Sequence, residues 1–234
     1  MSAAAAPMPP LYGSQRVLAT LVLALANFMV VLDMTIANVS VPHIAGSLAA
    51  SPNQGTWVIT SYAVAEAIIV PLTGWLTTRF GAVRLFVLCI IGFALSSLLC
   101  ALSPTLGALI AARVVQGLCG GPIMPLSQTL LLSSYPPEKS GQALSFWAMT
   151  TLVAPIAGPL IGGVIADNLA WEWIFYVNIP IGMLCAMTVW GVYRARETPR
   201  LKLPIDYIGL ILLILWVGAL QLLLDKGREL DWFG

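Results

Sequence analysis

Charge is what this sequence has least of. Lysine, arginine, aspartate and glutamate make up 9% of 234 residues against 59% hydrophobic residues, too few polar side chains to cover a soluble globule of this size. The chain therefore reads as an integral membrane protein. Its net charge of +1 comes from scattered single residues rather than a basic patch, so no nucleic-acid partner is expected. Histidine is nearly absent: His43 stands alone, which excludes metal clusters and Ser/His/Asp chemistry that would need further partners. With no nucleophile and base pair to assemble, an enzyme, a metal and any other cofactor are not expected. The four cysteines, Cys89, Cys100, Cys119 and Cys185, all fall in apolar runs with no CxxC among them, and read as packing thiols. A repeated ring of polar groups, as a channel would need, is also missing. The first sixteen residues hold small residues, prolines and one arginine, and no clear cleavage site follows, so the first apolar run reads as a retained span rather than a leader.

What the sequence has in quantity is long apolar runs. Seven can be marked, at about 17–37, 56–76, 85–103, 105–133, 142–166, 173–193 and 206–224, each able to cross a bilayer once. Alternating their connections places Arg16, Arg79, Arg84, Lys139, Arg194, Arg196, Arg200 and Lys202 on one side and only Lys226 and Arg228 on the other. By the positive-inside rule the N-terminus is cytoplasmic. The connections on the other side, around His43 to Gly55, Ser103 to Leu106 and Asp167 to Glu172, carry no lysine or arginine and leave no room for a folded domain. The expected organisation is an N-terminal segment over 1–16, a six-span bundle over 17–193, a basic linker over 194–205, and a seventh span with an outer loop over 206–234.

The first span anchors this reading. Val17 to Leu32 is sixteen residues, a rise of only about 24 Å as a helix, short of the roughly 30 Å of hydrocarbon in a bilayer. The span must continue through Asp33 to about Ile36 or Ala37, placing a carboxylate where ionisable groups are costly and face a partner or a water-filled cavity. The alternative is a helix that stops at Leu32 with Asp33 in headgroup water. Counting along the other spans puts Arg113, in span four, at nearly the depth of Asp33, and Glu66, in span two, near the midplane. A buried Arg113 paired with one or both carboxylates around a polar cavity is the expectation, with a fixed pair that only ties spans one and four as the alternative. A carboxylate so placed changes its protonation with whatever else occupies the cavity, the property a proton-coupled carrier needs.

Glycine and proline concentrate in two consecutive spans. QGLCGGPIMP carries Gly117, Gly120, Gly121, Pro122 and Pro125, and APIAGPLIGG carries Gly158, Pro159, Gly162 and Gly163. Small residues let helices approach closely, and intraspan prolines free carbonyls and permit kinks. Static close packing accounts for any single glycine, while two runs together suggest helices that bend or slide.

With these motifs the chain resembles the major facilitator superfamily, and within it the fourteen-span drug:proton antiporters of the Emr multidrug-export type. LDMTIANVSVP, with Asp33, Asn38 and Pro42, is similar to that family's first-span signature. GWLTTRFGAVR keeps Gly74, Leu76, Arg79 and Gly81 of the superfamily loop motif; Thr78 stands where Asp is usual, and Ala82 and Val83 where basic residues are usual, which leaves Arg79 and Arg84 as the loop's charges. RVVQGLCGGPIMP resembles the span-four motif, whose arginine, here Arg113, the resemblance implicates in proton coupling. APIAGPLIGG resembles the antiporter motif of span five, and WEWIFYVNIPIG and LDKGRELDWFG look like the Emr type.

The resemblance implies an all-α fold: the N-terminal six-helix bundle of the major facilitator fold plus a seventh span, with a C-terminal transporter half as its missing partner. It implies a bacterial inner-membrane antiporter that exports hydrophobic or amphipathic toxic compounds against protons, with Asp33, Glu66 and Arg113 in proton coupling. It also brings a membrane-fusion adaptor protein and an outer-membrane channel into view as partners. Export of a specific metabolite or siderophore on the same fold, and a membrane remnant that does not transport, are the competing expectations.

Overall fold

The computed structural model describes residues 9–201 and 204–229; the first half of the N-terminal segment, Lys202 and Leu203, and the last five residues of the seventh-span segment lie outside them. The described residues form helices and turns and no strand. Helix α1, Gly13–Ser47, holds 35 residues and is about 52 Å long, so it runs through the bilayer and beyond it. It continues unbroken through Asp33, which excludes a stop at Leu32, and it takes His43 into the helix rather than into a connection.

A short α2, Pro52–Gly55, is fixed by a capping box in which the Gln54 amide N–H donates to Ser51 Oγ and the Ser51 N–H donates to Gln54 Oε1. The second apolar run, expected as one span, is instead α3, Trp57–Ile69, and α4, Thr73–Phe80, bent by 61°. Pro71 lies in the break, where its missing N–H and its ring cannot continue the helical ladder. Helix α5 is Ala82–Ala101, and the fourth span is α6, Leu106–Gly120, followed across Gly121–Pro122 by α7, Ile123–Leu132. Helix α8, Ser140–Asn168, stays continuous through Pro155 and Pro159. A short α9, Trp173–Tyr176, leads into α10, Asn178–Tyr193, and α11 is Tyr207–Glu229. Among the described residues, five stretches are long and apolar enough to cross a membrane, a sixth is the bent pair, and the apolar part of α11, Tyr207–Gln221, is shorter.

Helix α1 is central, packed along α8, α10 and α7; α3 lies on α6, α5 sits between α6 and α10, and α11 rests on α3. The buried apolar side chains fall into two clusters rather than one. On α1 they part between Val30 and Leu32, on α5 between Phe93 and Cys100, and along the last spans between Phe175 and Cys185. The level between them is filled by buried polar groups: Asp33, Ser97, Arg113, Gln116 and Asn178.

The basic linker is not a free tether. Leu201 N–H donates to the Thr78 carbonyl, Thr198 Oγ1 accepts from Ala82 N–H, and Glu197 accepts from the N–H groups of Val83 and Arg84, so its carboxylate caps the N-terminus of α5. Gly81 makes the turn before α5 with φ +89°, a conformation that favours glycine, and a Cβ there would also strike the Glu197 carboxyl. Nearby, Arg196 Nη2 donates to the carbonyls of Pro9 and Ser133, and Leu11 N–H donates to Ser134 O.

Candidate functional site

Asp33 comes to the middle of the bundle because α1 carries it there between two apolar turns, and it is 2% exposed. Arg113, on α6, is fully buried. Its Nη1 donates to Asp33 Oδ2 at 2.6 Å and to Gln116 Oε1 at 2.7 Å, and its Nε donates to the Val58 carbonyl of α3 at 3.1 Å. The other carboxylate oxygen, Asp33 Oδ1, accepts from Asn178 Nδ2 at 2.6 Å and from Gln116 Nε2 at 3.1 Å. Ser97 Oγ closes the net by accepting from Gln116 Nε2 and Asn178 Nδ2.

Two groups in the net stay unpaired. Arg113 Nη2 and the Tyr62 hydroxyl are buried with no hydrogen-bond partner. The guanidinium lies 4.2 Å from the centroid of the Tyr62 ring and 5.7 Å from that of Phe175, so aromatic faces supply attraction where hydrogen bonds are missing. Five elements thus meet in one net, α1, α3, α5, α6 and α10, with α6 and α10 supplying the donors to the Asp33 carboxylate.

Glu66 is not part of this net. It sits one turn beyond Tyr62 on α3, half-buried, and among the described residues it makes no hydrogen bond or ion pair with Arg113. Of the two carboxylates expected around Arg113, one is paired with it.

The glycines of spans four and five are points of close approach. A Cβ on Gly117 would lie 2.5 Å from the Tyr62 carbonyl oxygen and 2.9 Å from Ala65 Cβ, and one on Gly121 would lie 3.2 Å from the Glu66 carbonyl and strike Ile69. Without them α3 could not reach α6 closely enough for Val58 and Tyr62 to meet Arg113. Gly158 plays the same part on α8, where a Cβ would strike Thr35 of α1, whereas a Cβ on Gly162 would meet Ile36 at an ordinary contact distance of 3.4 Å. Pro122 lies at the interruption of span four, whereas Pro159 leaves α8 continuous. In the loop motif Gly74 has open space around it, Arg79 is exposed, and Arg84 Nε lies 3.8 Å from Glu197 Oε2.

The sequence reading missed Gln116, Asn178, Ser97 and Tyr62. Gln116 was within reach, since three residues past Arg113 on a helix shares its face. Asn178, an amide inside an apolar run, carried a weaker signal, and Ser97 and Tyr62 carried none.

Long apolar helices that bury a charge pair between two apolar layers are those of a multi-pass membrane protein. The chain belongs to the Major Facilitator Superfamily, whose defining sequence pattern matches residues 23–225. It is 55% identical over 233 residues to the multidrug export protein EmrB of Haemophilus influenzae, covering 100% of this chain and 46% of that protein. It is 53% identical over 224 residues to EmrB of Escherichia coli, and 53% over 225 residues to the fatty acid resistance protein FarB of Neisseria gonorrhoeae, each match covering 96% of this chain and 44% of the relative. The chain thus spans about half the length of the curated relatives it matches. Among solved structures, the fold is similar to a peptide transporter POT bound to sulfate (TM-score 0.69, 15% identity, 92% of this chain and 47% of the other). It is also similar to an inward-facing, occupied bacterial homologue of the human lysosomal transporter Spinster (TM-score 0.66, 20% identity, 81% and 46%).

Proposed function

We propose that the chain supplies the proton-coupling bundle of an antiporter that exports hydrophobic or amphipathic toxic compounds across the bacterial inner membrane. The observation that carries this reading is the Asp33–Arg113 pair, sealed between apolar layers and held by Gln116 and Asn178. Each member of the pair compensates a charge that the other would otherwise bury alone, so proton exchange at this site goes with a rearrangement of α1 and α6. Glu66, half-buried one turn from Tyr62, serves as the relay between this pair and solvent. The glycine contacts of α6 and α8, with Gly117, Gly121, Pro122, Gly158, Pro159 and Gly162, provide the surfaces on which the helices shift. In the loop motif that holds Gly74, Arg79, Gly81 and Arg84, the part from Thr78 to Arg84 anchors the linker.

The substrate class is supported by the names of the relatives, multidrug export proteins and a fatty acid resistance protein. A second bundle is the partner this reading requires, since alternating access needs walls from both halves. A cytoplasmic N-terminus is supported by the eight lysines and arginines on that side, and a membrane-fusion adaptor with an outer-membrane channel by the resemblance to the Emr type. Proteoliposomes holding the export-competent protein and an imposed pH gradient test the reading. Asp33→Asn is expected to abolish drug/proton exchange while inserting normally; exchange at the wild-type rate would remove Asp33 from the mechanism.

A further inference from the structure

The hydrogen bonds around Asp33 all run one way. Its Oδ2 accepts from Arg113 Nη1, and its Oδ1 accepts from Asn178 Nδ2 at 2.6 Å and from Gln116 Nε2 at 3.1 Å. That arrangement suits a carboxylate, which only accepts. A protonated Asp33 carries an O–H that needs an acceptor, and a buried O–H that meets nothing but N–H groups is unfavourable. Because Oδ2 faces the guanidinium, the proton belongs on Oδ1, against the two amides. One of those amides must turn its oxygen to the acid.

Gln116 is not free to turn. Its Oε1 already accepts from Arg113 Nη1 at 2.7 Å and from Cys100 Sγ at 3.4 Å, and reversal would set an NH2 group against the guanidinium. Asn178 has no such tie: among the described residues its Oδ1 accepts no hydrogen bond, while its Nδ2 donates to Asp33 Oδ1 and, at 3.2 Å, to Ser97 Oγ. Half a turn of this carboxamide puts oxygen where nitrogen stood, beside the same two oxygens. Ser97 fits the exchange, since its Oγ accepts from Gln116 and Asn178 and, among the described residues, donates to nothing. Two donated bonds become two accepted ones, from the Asp33 acid and the Ser97 hydroxyl, and the turn itself moves no backbone.

We propose that Asn178 is a positioning residue that reads the protonation of Asp33 by reversing its carboxamide, Nδ2 toward the carboxylate and Oδ1 toward the acid. The proposal rests on the export reading above and brings span six into the coupling. Asn178 opens α10 three residues past Phe175, whose ring lies against the Arg113 guanidinium, so α9 and α10 touch both members of the pair. The titratable groups around Asp33 are Arg113 of α6, Tyr62 and, one turn on, Glu66 of α3, and Cys100 of α5; α10 has no charged residue and α8 none before Asp167.

Infrared difference spectra of the export-competent protein in liposomes, isotope-labelled at the asparagine side-chain carbonyl and taken through the titration of Asp33, test the reversal. A label-sensitive asparagine band is expected to shift in step with the rise of the Asp33 carboxyl band, and Asp33→Asn and Asn178→Leu should each abolish that shift. Asn178→Leu, which neither donates nor accepts, should also lower proton-driven export roughly tenfold or more, the size of one hydrogen bond to a charged group. An asparagine band that stays still while Asp33 takes its proton and export proceeds would make Asn178 a fixed support, overturning the proposal and leaving the export reading intact. A shift that persists in Asp33→Asn, or export at the wild-type rate by Asn178→Leu, would overturn it too. A shift in step with Asp33 in a wild-type protein that shows no proton-driven export would keep the reversal and remove the export reading.

Discussion

The two ion pairs among the described residues join the same chemical groups in opposite surroundings. Arg113 and Asp33 meet at 2.6 Å with side chains 0% and 1% exposed; Arg84 and Glu197 stand 3.8 Å apart with side chains 49% and 19% exposed. In the first, neither group has water to turn to, and the second carboxylate oxygen is taken up by Gln116 and Asn178. In the second, the arginine has solvent as an equal alternative, and the carboxylate draws its main support from backbone N–H groups at the start of α5. The same pairing is thus a constraint on conformation in the middle of the bundle and a minor surface contact at its end.

Removing the buried arginine gives the largest expected effect. Arg113→Ala leaves Asp33 buried without its charge partner, and a loss of about 3–5 kcal/mol is expected, read as a large fall in Tm in detergent. Adding Asp33→Asn should recover most of that stability without recovering transport. A double variant no more stable than Arg113→Ala alone would show that the two side chains are not energetically coupled, and the contrast between the two regions would collapse.

Next in size is the packing that lets the buried pair form. Gly117→Leu places atoms where the Tyr62 carbonyl and Ala65 already lie, and overpacking of this kind costs about 1–3 kcal/mol. Because the clash separates α3 from α6, the Val58 and Tyr62 contacts to Arg113 should loosen as well. Gly74→Leu, with open space around the residue, is the matched control from the other region and should leave Tm nearly unchanged. Equal losses in the two variants would show that the close approach at Gly117 is not special.

The two regions also differ in how much of them the sequence displays. Asp33 and Arg113 stand out because an ionisable residue in an apolar run has few physical explanations. Their neutral partners do not stand out: an amide such as Asn178 or a hydroxyl such as Ser97 is common in spans, and only the folded bundle brings α5 and α10 to α1. The bend at Pro71 was present as a proline inside an apolar run, yet hydropathy alone reads straight through it. The cap on α5 was not legible at all. Glu197 lies over 100 residues from Val83 and Arg84 in a polar, basic segment, and a helix start completed by a distant carboxylate leaves no local motif.

Within the end region, Glu197→Ala should exceed any change at its arginine partner. The carboxylate receives the N–H groups of Val83 and Arg84 and sits at the positive end of α5, a cap whose loss costs about 1 kcal/mol. Glu197→Gln keeps an acceptor and should recover part of that loss. A cost that vanished in high salt would mean the ion pair, not the cap, carries the contact.

Arg84→Ala is the smallest effect and the sharpest test of the comparison. The guanidinium is half exposed and, at 3.8 Å, lies beyond hydrogen-bond distance of Glu197 Oε2, so only a screened Coulomb attraction is lost. Exposed pairs of this kind contribute about 0–1 kcal/mol, and salt near 1 M shortens the screening length to about 3 Å. The Arg84 backbone N–H that Glu197 accepts survives the substitution, so the cap on α5 remains in place. A small fall in Tm at low salt that disappears at high salt is therefore expected, with proton-driven export unchanged throughout. A loss as large as that of Glu197→Ala, persisting in salt, would show that the exposed arginine is as firmly bound into its site as Arg113, and that burial is not what separates the two pairs.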